Sequence, residues 1–149
     1  MIANPMDHFL VWDTVSMAWT EVGLSSADYP KIALELRANY STWEEVNEII
    51  MGDVLGSFAV KSAFFPLALI PLIGMFLITP FPDWGYEKSY LQKRMMRWQR
   101  LPRWQHYLNP VRLVGYPIAY LFSLSLRHKL KAAYFSQTPT NAELGRSTL

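Results

Sequence analysis

The side chains best able to do chemistry together are Glu44, Glu45, Glu48 and Asp53, four carboxylates within ten residues. Closely spaced acids are what a hard metal ion or a proton relay requires. At this spacing they also make a solvated acidic helical face, and that plainer reading is the one adopted. His8, His106 and His128 lie far apart on different predicted elements. The absence of cysteine removes disulfides, thiolate metal sites and a cysteine nucleophile. No glycine-rich phosphate loop, paired-histidine zinc helix or serine elbow is present. The expectation is therefore a chain that is not an enzyme, with no catalytic residue, no cofactor and no metal.

Two aromatic patterns point to binding instead. Trp12 and Trp19 stand seven residues apart, on one face of a helix, and Trp43 begins another apolar stripe. All three are expected to contact partners rather than to stack on a pigment or substrate. Further on, Arg97, Arg100 and Arg103 interleave with Trp98 and Trp104. Bases among aromatics resemble a nucleic-acid surface. They also describe an interfacial helix, with aromatics at headgroup depth and cations on anionic phospholipid, cardiolipin included. The second reading is preferred, Lys61 joins the lipid or interface candidates, and nucleic acid is set aside as a partner.

The elements that would position these residues follow from charge and hydropathy. The chain has 149 residues, 51% of them hydrophobic and only 17% charged, against about 25% charged in an average soluble domain. The net charge of +2 hides a strong asymmetry. Residues 1–53 carry nine acids and two bases, 54–79 only Lys61, and 80–149 eleven bases and three acids. From Ser62 to Pro82 there are 21 residues without a charge. About 20 apolar residues suffice for a helix to cross the hydrocarbon layer, so 54–79 is expected to be a transmembrane helix. Lys61 would snorkel from its first turns, and Pro66 and Pro71 would be tolerated against neighbouring helices. The first 30 residues hold Asp7, Asp13, Glu21 and Asp28 and no base, which fits neither a signal peptide nor a transit peptide.

The acidic arm, 1–53, reads as short amphipathic helices. Asn4-Pro5 starts the first, Phe9, Trp12, Val15, Trp19 and Val22 line it, and Gly23 stops it. Ser25 to Asp28 and Pro30 open a second, bearing Ile32, Leu36 and Tyr40. Thr42-Trp43-Glu44-Glu45 is a capping box for a third, which continues through Gly52. The basic aromatic arm, 80–135, has the stripe Leu91, Met95 and Trp98, and a further helix opened by Asn109-Pro110. The uncharged stretch within 111–126 suits an interfacial, re-entrant or protein-buried helix better than a crossing, with a second short span as the alternative. Residues 136–149 read as an extended tail. The fold class expected is an all-α membrane protein with one transmembrane helix flanked by short amphipathic helices.

Pro80-Phe81-Pro82, followed by Gln92-Lys93-Arg94-Met95-Met96 and Pro102, resembles the segment after the membrane span of cytochrome c oxidase subunit IV. That family has a Pro-x-Pro exit, a Lys-Arg-Met helix and a proline nine residues after the lysine. Here the span begins earlier, the spacing from Pro82 to Lys93 is shorter, and the family lacks a counterpart of 110–149. Pro82-Asp83-Trp84 is also similar to the exit of single-span accessory subunits of respiratory NADH dehydrogenase. Both resemblances imply a structural accessory subunit of a mitochondrial inner-membrane respiratory complex, cytochrome c oxidase first, that stabilises assembly without redox centres. Its partners would be other subunits and anionic phospholipids. The alternatives are an accessory subunit of NADH dehydrogenase or of mitochondrial ATP synthase, or a transient assembly factor. Orientation divides the two lines of argument: the basic side faces the matrix by the positive-inside rule, whereas the resemblances put the N-terminus there.

Overall fold

A computed structural model describes residues 8–20, 22–68 and 85–136, and all regular structure among them is helical. Helix α1 spans Phe9–Ser16 and tightens into a 3₁₀ turn at Met17–Trp19. Gly23 follows at φ 65°, the left-handed conformation that turns the chain. Helix α2 spans Asp28–Asn39, its entry fixed by Asp28 Oδ2, which accepts from the Ser25 amide at 3.1 Å and the Ser25 hydroxyl at 2.6 Å.

Thr42 caps α3, Trp43–Ile49, by accepting from the Glu45 amide at 3.3 Å. Glu45 reaches back one residue further than a capping box requires, to the amide of Ser41 at 2.9 Å. The helix then widens into a π turn, Ile50–Val54, and runs on as α4, Leu55–Ala63. The Tyr116 hydroxyl donates to the carbonyl of Met51 in that turn at 2.7 Å. Helix α5 is a single turn, Phe65–Ala68, with Pro66 in its first turn, where a missing amide costs little. On the basic side lie α6 (Lys88–Gln99), α7 (Arg103–Tyr107) and the long α8 (Pro110–Ser136). Asn109 caps α8, its Oδ1 accepting from the amides of Val111 at 3.0 Å and Arg112 at 3.4 Å.

The core forms where α4 crosses α8. Gly115, Ala119 and Ser123 of α8 are buried, as are Gly56 and Ala59 of α4. A methyl group at Gly115 would collide with the Ala59 carbonyl, so glycine sets the distance between the two backbones. A methyl at Gly56 would lie 2.6 Å from the Trp98 ring, so that position admits the indole onto α4. Helix α2 covers the far end of α8: Ala33 and Leu36 are buried with Leu130 and Tyr134, and the Tyr134 hydroxyl donates to the Tyr40 carbonyl at 3.3 Å. Helix α1 closes over the π turn and α6.

These contacts correct the fold class. The chain is all-helical, but no helix among the described residues is long and apolar enough to cross a membrane. The first part of the expected span, Val54 to Ala63, is a helix buried in the chain's own core against α8, α6 and the 3₁₀ turn. Phe64 ends it: its amide turns back to the Lys61 carbonyl at 3.3 Å, and α5 begins beside Pro66. Pro71, the remainder of the expected span to Thr79, and the exit Pro80 to Trp84 lie outside the described residues, as do Asn4-Pro5 and the tail after Ser136. Of the readings open for 111–126, α8 realises protein burial, with one face packed on α4 and α2.

Candidate functional site

The candidate residues divide by burial. Trp12, Trp19 and Trp43 are all inside. Trp19 stacks on Phe58 at 4.5 Å and its Nε1 donates to Ser62 Oγ at 3.0 Å. Trp43 meets Tyr134 edge-on at 5.5 Å. The partners expected for these rings are thus other helices of the same chain. The acids Glu44, Glu45 and Glu48 stay along the first turns of α3, facing solvent, and no three metal-ligating side chains converge among the described residues.

Lys61 is half-buried rather than extended toward a membrane surface. Its Nζ donates to the Tyr86 hydroxyl at 2.9 Å, and that hydroxyl donates onward to the Trp19 carbonyl at 3.4 Å. Burial, with the nearby Arg94 charge, lowers the Lys61 pKa. Burial raises Tyr86 to about 12.

Trp98 is buried as well, and it organises the basic side. Its Nε1 donates to Asp53 Oδ1 at 3.3 Å, while Asp53 Oδ2 meets His8 Nδ1 at 3.3 Å. The edge of His106 packs on the indole at 4.1 Å, and the Arg112 guanidinium lies 4.6 Å from its centroid. His106 Nε2 is 3.0 Å from the Leu101 carbonyl, which assigns the proton to that nitrogen. Around these rings a cavity of about 380 Å³ opens between the π turn, α7 and the start of α8, with Met51, Gly52, Trp98, Tyr107 and Tyr116 in its lining. Sequence reasoning assigned Asp53 to a solvated face. Its role as the acceptor joining α1, the π turn and α6 depends on contacts 45 residues apart, which no local spacing signals.

Outside the core the same side of the molecule exposes several large apolar and aromatic side chains. Trp104 is 61% exposed, Tyr107 73%, Leu108 71%, Leu113 60% and Val114 63%. Leu121 and Leu124 continue it along α8. Arg97, Arg100 and Arg103 are exposed beside it. The sole salt bridge among the described residues is His8–Asp53, so none of these arginines has a carboxylate partner there. Of the interface candidates, Arg97, Arg100, Arg103 and Trp104 are exposed, whereas Lys61 and Trp98 serve the chain's own packing.

No protein-family model, curated protein or solved structure matches the chain.

Proposed function

We propose that the chain is a structural accessory subunit of a larger assembly, attached through the exposed surface of α7 and the first turns of α8. The carrying observation is Trp104, Tyr107, Leu108, Leu113 and Val114, each at least 60% exposed and all within eleven residues of sequence. Large contiguous apolar patches mark interaction sites, and tryptophan, tyrosine and arginine dominate the residues that hold interfaces together. The guanidiniums of Arg97, Arg100 and Arg103, exposed and without a carboxylate partner among the described residues, give the partner's chemistry: an apolar groove with an acidic or otherwise anionic rim. The chain would act by contact rather than by a reaction.

The mitochondrial respiratory complexes, cytochrome c oxidase ahead of NADH dehydrogenase and ATP synthase, are the assemblies to which the sequence resemblance directs the search. Two observations qualify that resemblance. Its Lys-Arg-Met segment lies in α6, where Leu91, Met95 and Trp98 are buried in the chain's own core. Its Pro-x-Pro exit lies outside the described residues.

Native electrophoresis of solubilised complexes, with mass spectrometry of each band, tests the proposal. The chain is expected in fixed stoichiometry with one assembly. A Trp104→Ala, Tyr107→Ala, Leu108→Ala triple variant, folded to the same melting temperature, is expected to leave that band. Migration of the wild-type chain as a free monomer contradicts it.

A further inference from the structure

A second feature of the basic side shares Arg97 with the rim of the α7–α8 surface. Between α4, α6 and α8 lies a cleft of about 210 Å³ walled by Arg94, Arg97 and Arg112, with Ser57 and Trp98 at its base. No carboxylate among the described residues lines it. Asp53, on the other side of the Trp98 contact, is engaged by Trp98 Nε1 and His8.

The three cations are held by different means. Arg94 is fixed to α4: its Nη2 donates to the Ser57 carbonyl at 2.6 Å and its Nε to Ser57 Oγ at 3.3 Å. Its guanidinium lies 4.2 Å from the Phe58 ring centroid. Arg112 is fixed by Nη1 donating to the Gln105 carbonyl at 2.8 Å and by the face of Trp98, yet its Nε is buried with no hydrogen-bond partner. Arg97 is exposed and completes the lining. Packing thus positions two guanidiniums in advance and leaves charge uncompensated. Burial first, and the Arg94 charge second, lower the Arg112 pKa.

A planar guanidinium offers paired donors that match the oxygens of a phosphoryl group, and several at one place favour a dianion over a single carboxylate. The size of the cleft limits the ligand to a compact oxyanion. We infer that Arg94, Arg97 and Arg112 form a binding site for a phosphoryl group, carried either by a free phosphate or phosphomonoester or by a lipid headgroup.

Thermal unfolding of the full chain in inorganic phosphate, against sodium chloride of equal ionic strength, tests the site. A site-bound ligand at ten times its Kd is expected to raise the melting temperature by about 3–5 °C. Arg97→Gln, at an exposed position, is expected to weaken phosphate binding about tenfold or more, and Arg103→Gln, outside the cleft, to leave it within about twofold. Arg97→Glu supplies the missing negative charge, so it is expected to melt no lower than wild type without phosphate and to lose the phosphate response. Flotation with phosphatidylcholine vesicles, with and without phosphatidic acid, separates the sources. Flotation that requires phosphatidic acid, is competed by phosphate and is lost in Arg97→Gln assigns a headgroup; a phosphate-specific shift without flotation assigns a free ligand. Equal shifts in phosphate and chloride, or unaltered phosphate binding in both Arg97 variants, would overturn the inference.

Discussion

The acidic side of the molecule, α1 to α3, and the basic side, α6 to α8, carry similar aromatic stripes and put them to opposite uses. Trp12, Trp19 and Trp43 are 0%, 2% and 5% exposed, with Trp19 held by Phe58 and Ser62 and Trp43 by Tyr134. Trp104 and Tyr107 stand 61% and 73% exposed on a five-residue helix with no buried residue. The difference lies in what covers each stripe. On the acidic side two helices fold back over α4 and α8 and complete a core. Of α6 and α7, only Leu91, Met95 and Trp98 of α6 are drawn in, and α7 is left without a covering element among the described residues. A periodic aromatic pattern therefore establishes that a face will be covered, without saying whether by the same chain.

That contrast can be broken most forcefully at the core. Trp19→Ala removes a stacked, hydrogen-bonded indole and is expected to cost about 3–5 kcal/mol, measured by chemical denaturation. Gly115→Ala is expected to cost about 1–3 kcal/mol or more, because its methyl group must push α8 off the Ala59 carbonyl. If either variant is as stable as wild type, the α4–α8 crossing described here is wrong. Removing the α3 cap with Thr42→Ala is expected to cost about 1 kcal/mol. Trp104→Ala, by contrast, is expected to change stability by no more than about 0.5 kcal/mol while weakening attachment to the assembly. The pair Trp19→Ala and Trp104→Ala thus separates folding from docking.

The smallest effect is spectroscopic. Tyr86 ionises near about 12 in the folded chain against 10.0 ordinarily. The unfolded chain therefore gives up this proton first, and the Tyr86 contribution to stability is lost as pH rises between those values. Lys61, lowered by burial, works in the opposite direction. In a titration followed by phenolate absorbance, Tyr86→Phe is expected to remove the most alkaline component. A curve unchanged by the substitution would contradict the burial of that hydroxyl against Trp19 and Lys61.

Local features were legible where a residue acts on its neighbours. Thr42 and Asn109 cap as their types suggest, and Leu91, Met95 and Trp98 do share a buried face, whereas the first helical segment ends at Trp19 with Thr20 extended, ahead of Gly23. The first part of the expected span, Val54 to Ala63, misled because hydropathy measures the wish to leave water, and α4 satisfies that wish inside protein. Lys61 looked like a snorkelling anchor, yet a tyrosine hydroxyl and ring receive it. Gly115, Asp53 and Arg112 carried no signal at all, since each acts through a contact made only when distant segments meet. Gly115 touches Ala59, Asp53 holds His8 and Trp98, and Arg112 faces Trp98 and Arg94.

The central claim is that α7 and the start of α8 form the attachment surface. Hydroxyl-radical footprinting of the isolated chain and of the purified assembly measures it directly. In the isolated chain Trp104 and Tyr107 are expected to oxidise readily and Trp12 and Trp19 to be protected. In the assembly, oxidation of Trp104 and Tyr107 is expected to fall to the level of the buried tryptophans, while Val22 and Leu34 on the other side of the molecule keep their reactivity. Trp104 and Tyr107 reacting equally in both states would contradict the claim.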